Sequence, residues 1–155
     1  MRWLFILGIM SLSVLGCCGF KSSTCTSGGQ SEEAFQVVIG NGGGFTGLYT
    51  GYRIDSNGAV RRWSGFSGKV DSLRAIGKLS GKEMARLKAS VKAIDFMSIP
   101  TGEPGNITSF VEARIDSVSH RAAWAGMYED APPALQPLVQ DLLNIAKKFE
   151  GTEKQ

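Results

Sequence analysis

Histidine is almost missing from this 155-residue chain: His120 stands alone. A hydrolytic triad needs that base beside a placed nucleophile and acid, and no elbow motif sets a serine, cysteine or carboxylate against it. Its place in a strand-like segment next to Arg121 reads as that of a structural, partly buried sheet residue. Cysteine is nearly as scarce, with Cys17, Cys18 and Cys25 only. One histidine without late cysteines cannot supply the nitrogen and sulfur ligands of a zinc site, so no metal and no cofactor is expected. Net charge is low, at +3, too mild to indicate nucleic acid as a partner. The acids Glu103, Glu112, Asp116, Glu129 and Asp130 are scattered, the usual pattern of solvated faces rather than of a general acid–base pair. These shortages together argue for a protein that is not an enzyme.

What is present begins with MRWLFILGIMSLSVLGCCGF, a short basic start at Arg2 followed by a largely apolar run from Trp3 to Leu15. Such a run is shorter than the roughly 20 apolar residues that a membrane-spanning helix needs, but it matches the core of a secretory signal. VLGC at 14–17 resembles the bacterial lipobox, in which a small residue precedes a cysteine that is acylated and becomes the new N-terminus. Residues 1–16 are then a lipoprotein signal peptide, and acyl chains on Cys17 hold the protein at a lipid bilayer, each buried CH2 contributing about 0.8 kcal/mol. Cys18 offers a site shifted by one residue. By the sorting rule that accompanies the lipobox, the lack of an aspartate after Cys17 favours the outer membrane of a bacterial envelope, with the soluble part facing the periplasm. Cys18 and Cys25 could pair in that oxidising compartment but would staple no core.

Residues 17–33 are polar and rich in Ser, Thr and Gly, the composition of a flexible tether. A folded domain is expected over 34–150. AFQVVI at 34–39 reads as a strand, and LYTGYRI at 48–54 alternates with Leu48, Thr50, Tyr52 and Ile54 on one side. Asn57–Gly58 marks a hairpin with a type I′ turn, which brings Ala59 to Trp63 back antiparallel. The looser stretch GFSGKVDSLRAIGKL has room for one more strand. Ser80 and Glu83 have capping-box spacing and open a helix in which Met84, Leu87, Val91 and Ile94 recur at three and four, with Phe96 and Ile99 closing it and Pro100 stopping it. Ile107–Ile115 and Val118–Trp124 form a second hairpin. Leu135, Leu138, Leu142, Ile145 and Phe149 then make the stripe of a terminal amphipathic helix, with Pro137 tolerated in its first turn. The order β-β-β-(β)-α-β-β-α implies an α+β fold, an antiparallel sheet with two helices packed on one face.

Glycine is abundant where it is densest, in GGGFTG at 42–47. The run satisfies GxGxxG formally, yet the dinucleotide fingerprint needs a helix to start at the glycines, and LYTGYRI is strand-like instead. No nucleotide is expected there. Two readings remain: a tight bend between two strands, or a recognition loop made of Gly43, Gly44, Phe45, Thr46 and Gly47. Trp63, beside Arg61 and Arg62, joins the candidate binding residues, because aromatic side chains anchor interfaces when they do not pack the core.

GGGFTG at 42–47, LSGKEMARL at 79–87, AIDFMSIP at 93–100, SHRAAW at 119–124 and APPALQPLVQDLL at 131–143 together resemble emfourin, a small bacterial protein inhibitor of thermolysin-type metallopeptidases. The resemblance covers most of the globular part in the same order. It implies a non-catalytic binding protein whose protein partner is a peptidase, and it assigns Gly43, Gly44, Phe45 and Gly47 to the matching loop. The span from Leu48 to Leu79 is longer than the family leads one to expect. The alternative is a structural or assembly lipoprotein of the envelope with no enzyme target.

Overall fold

Six extended segments pair edge to edge in one antiparallel sheet. The computed structural model describes residues 34–66 and 70–151, which belong to one compact unit. The signal, Cys17 and the tether expected over 1–33 lie outside the described residues. The strands are β1 (Phe35–Gly43), β2 (Leu48–Asp55), β3 (Ala59–Phe66), β4 (Ser72–Lys78), β5 (Ile107–Ile115) and β6 (Val118–Ala125), and the helices are α1 (Gly81–Ala93) and α2 (Gln136–Glu150). Spatial order is β4-β3-β2-β1-β5-β6. A meander of four strands therefore meets a hairpin along the β1–β5 ladder, Phe35 opposite Ile115 through to Gly43 opposite Ile107. The fold is α+β, with the element order the sequence implies and with β4 filling the optional place.

Period-2 alternation divides each strand between two faces. Phe35, Val37 and Ile39 of β1, Ile54 of β2, Val60 of β3, Val111 and Ala113 of β5, and Ala122 and Trp124 of β6 are buried with Leu87 and Val91 of α1 and Leu138, Val139 and Leu142 of α2. Both helices thus cover the same face. At the head of α1, Ser80 accepts from the Glu83 N–H while Glu83 accepts from the Ser80 N–H at 2.8 Å, the reciprocal cap its spacing implies. Lys148 of α2 reaches the same Glu83 carboxylate at 2.6 Å and ties the two helices together.

Two local expectations are corrected. The turn after β2 is not type I′, which would need positive φ at both Asn57 and Gly58. Only Gly58 is left-handed, at φ 81°, and Ser56, Asn57 and Gly58 form a three-residue loop closed by Gly58 N–H to the Asp55 carbonyl at 2.8 Å. The Asn57 side chain caps the loop by accepting from the Ala59 N–H at 2.9 Å. Helix α1 also stops at Ala93, well before Pro100. Asp95 adopts φ 46°, which ends the helix and redirects the chain into a 3-10 turn, Phe96–Ser98, that buries Phe96.

Candidate functional site

The glycine run is the connection between β1 and β2. Gly43, Gly44 and Gly47 all have positive φ, at 102°, 63° and 64°, and Gly44–Thr46 makes a single 3-10 turn. At Gly43 a Cβ would also meet the Asn106 carbonyl oxygen at 2.8 Å. The backbone requirement alone accounts for glycine at these three positions. The Thr46 hydroxyl faces inward to the turn, accepting from the Leu48 N–H at 3.3 Å, while Gly44 N–H donates to the Asn106 carbonyl. Phe45 projects from this turn fully exposed. The element that follows the glycines is the strand β2.

Phe45 is not alone. Leu48 opens β2 opposite Phe66 at the end of β3, and Gly43 stands opposite both Leu48 and Ile107, the first residue of β5. Those side chains share the helix-side parity but lie at the end of the sheet, where they remain exposed. Gly126 N–H donates to the Ile107 carbonyl at 2.8 Å and brings exposed Met127 to the same end. Of the eight large exposed apolar side chains among the described residues, Phe45, Leu48, Phe66, Ile107 and Met127 gather here. Sequence reasoning found Phe45 and missed the other four, which are brought together only by strand register.

Trp63 lies elsewhere. It sits in the middle of β3 on the face opposite the helices, only 5% exposed, and it is not brought to the glycine turn. Register places Leu73, Trp63, Gly51, Gly40, Phe110 and Ala123 in one row across all six strands. The two central members lack side chains, so the rings of Trp63 and Phe110 sink onto the backbone at Gly40, 6.0 Å apart between centroids. The indole N–H donates to the Ile39 carbonyl at 3.3 Å. Around these rings a basin of about 480 Å³ opens, walled by Tyr49, Leu73, Val38, Gln36, Glu112 and Arg121.

Polar groups with chemical potential elsewhere are structurally engaged. His120 Nε2 is 2.6 Å from the Ile99 carbonyl oxygen, so that nitrogen carries the proton and donates, and the ring meets Phe96 edge-on at 5.5 Å. Asp130 accepts from the Met127 N–H at 2.8 Å. The Tyr52 hydroxyl is pushed up to about 12, chiefly by burial and then by its hydrogen bond to Glu150. Burial also raises Tyr128. Among the described residues no three His, Cys, Asp or Glu side chains come together as a metal site, and no helix is long and apolar enough to cross a membrane.

No family model and no curated protein matches the chain.

Proposed function

We propose that the protein is a lipid-anchored binding protein of the bacterial envelope, held at the bilayer through acylated Cys17. Its periplasm-facing domain would block a metallopeptidase of the thermolysin type by contact alone. The observation that carries the reading is the apolar end of the sheet, with Phe45 fully exposed on a turn whose three left-handed positions are all glycine and whose one hydroxyl is engaged internally. Exposed apolar side chains gathered on one surface mark an interaction site more often than scattered ones do. The hydrogen bonds that tie this turn, from Gly44 N–H to the Asn106 carbonyl and from Leu48 N–H to the Thr46 hydroxyl, reduce the ordering cost of binding. A protruding aromatic suits insertion into a cleft, and the emfourin-like order of motifs supplies the class of target.

The test is titration of the full chain, in detergent micelles, into a thermolysin-type enzyme, beside a Phe45→Asp variant. The expected result is loss of peptidase activity with the parent and at least a tenfold weaker effect with the variant. Unchanged activity at micromolar parent protein would remove the inhibitor reading. Crosslinking in intact envelopes that captured cell-wall or outer-membrane components through position 45, and no peptidase, would replace it with an assembly role.

A further inference from the structure

The basin opens on the face of the sheet opposite α1 and α2. Its charged groups are divided in an unusual way. Arg53 and Arg61 both hold Asp55, Arg53 Nε at 2.6 Å, and Gln36 adds a hydrogen bond to the same carboxylate at 3.2 Å. These groups satisfy one another. Arg121 and Glu112 stand directly opposite across the β5–β6 ladder, where opposite charges ordinarily pair. They form no ion pair. The Arg121 guanidinium instead lies 3.5 Å above the centre of the Phe110 ring, and among the described residues neither it nor the Glu112 carboxylate has a polar side-chain partner.

A guanidinium seated this close over a ring keeps its fork of N–H donors available to a carboxylate. Glu112 is half-buried one cross-strand step away and accepts only. Tyr49, Trp63, Leu73 and Val70 give the basin an apolar side, and Gln36 and Arg53, both engaged with Asp55, complete its lining. At about 480 Å³ it falls in the size range of small-molecule sites, which runs from roughly 300 to 1,000 Å³. A separated cation and anion next to an apolar wall are complementary to a molecule that carries a carboxylate, a neighbouring N–H donor and an apolar side chain.

We propose that this basin binds an apolar α-amino acid unit, its carboxylate held by Arg121, its nitrogen by Glu112 and its side chain against Trp63 and Leu73. That chemistry has two sources, a free amino acid or the C-terminal residue of a short peptide. Calorimetric titration of the full chain in detergent with L-leucine, N-acetyl-L-leucine, alanyl-leucine and leucinamide separates them. Leucinamide, which lacks the carboxylate, should bind at least tenfold more weakly than the best of the other three. A free amino acid as ligand gives leucine tighter than N-acetyl-leucine, with the preference lost in Glu112→Gln. A peptide end gives alanyl-leucine and N-acetyl-leucine tighter than leucine. Arg121→Lys keeps the charge but not the stacked fork and should weaken binding by about tenfold, while Arg114→Ala, on the same face of β5, should leave it unchanged. Circular dichroism checks that each variant is folded. Absence of heat from all four compounds at millimolar concentration, equal binding of leucinamide, or Arg121→Lys indistinguishable from the parent would each overturn the proposal.

Discussion

Replacing Gly40 by alanine adds one methyl group at the point where the sheet has least room for it. The new Cβ would lie 2.5 Å from Trp63 Cζ2 and 2.6 Å from both Phe110 Cε1 and Cζ, far inside van der Waals contact. Neither ring is a flexible tip. Trp63 is 5% and Phe110 4% exposed, the indole donates to Ile39, and Arg121 rests on the Phe110 face. Overpacking of this kind costs about 1–3 kcal/mol. Displacing the indole weakens a hydrogen bond worth about 1 kcal/mol. Lower entropy of the unfolded alanine chain returns about 0.4–1 kcal/mol. The net expectation is a destabilisation of about 2 kcal/mol, which for a urea m-value near 2 kcal/mol/M moves the unfolding midpoint down by about 1 M. The same substitution at Gly81, the first residue of α1, meets nothing within 4 Å and should stabilise by a few tenths of a kcal/mol or more. Urea unfolding followed by circular dichroism compares the pair. If Gly40→Ala unfolds within about 0.5 kcal/mol of the parent, the rings are not seated on that glycine and the origin assigned to the basin is wrong.

Glu83 is held down to about 2 from its ordinary 4.5 by the Lys148 ammonium first and the Ser80 N–H and hydroxyl next. A depressed carboxylate stabilises the fold fully above the unfolded value and ceases to as pH falls, so stability should drop between about pH 4.5 and 2, and Glu83→Gln should flatten that acid limb in unfolding curves taken across it. His120→Leu leaves the Ile99 carbonyl without its donor and should cost about 1–3 kcal/mol, measurable by thermal melting, whereas a catalytic histidine would leave stability unchanged. Spectrophotometric titration should find one phenol ionising only near pH 12, and Glu150→Gln should bring it down by removing the carboxylate that accepts the hydrogen bond of the Tyr52 hydroxyl.

Local features were legible in the sequence and sheet-wide ones were not. The Ser80–Glu83 cap is a relation between residues three apart, and it forms as its spacing implies. The faces of β2, β5 and β6 follow from alternation alone. Asn57–Gly58 located the first hairpin but not its geometry, because the same dipeptide serves a two-residue loop or the last two positions of a three-residue one. The end of α1 was missed because Asp95 turns left-handed where nothing in its own identity requires it, as Phe96 is drawn into the core. At the binding surfaces the limit is sharper. Leu48 has the same parity as buried Ile54, yet one is 37% exposed and the other 2%. Alternation tells which face a residue takes, not how far along the strand the covering helices reach. Trp63 and Phe110 become neighbours only through Gly51 and Gly40, a row defined by three ladders at once.

The β1–β5 seam has a consequence for how the chain reaches this state. Each remaining strand pair joins neighbours in sequence and can zip locally, but Phe35 must wait for Ile115, and Gly43 for Ile107. Closure of so distant a ladder is the slow event that topology imposes on such a sheet. Until it occurs, the first strand to emerge, with Val37, Val38 and Ile39 in succession, offers an unpaired hydrogen-bonding edge to any extended chain nearby. Assembly of the body is thus committed last at its own centre, and a newly made molecule passes through a stage in which two apolar strands, β1 and β5, each lack a partner on one side.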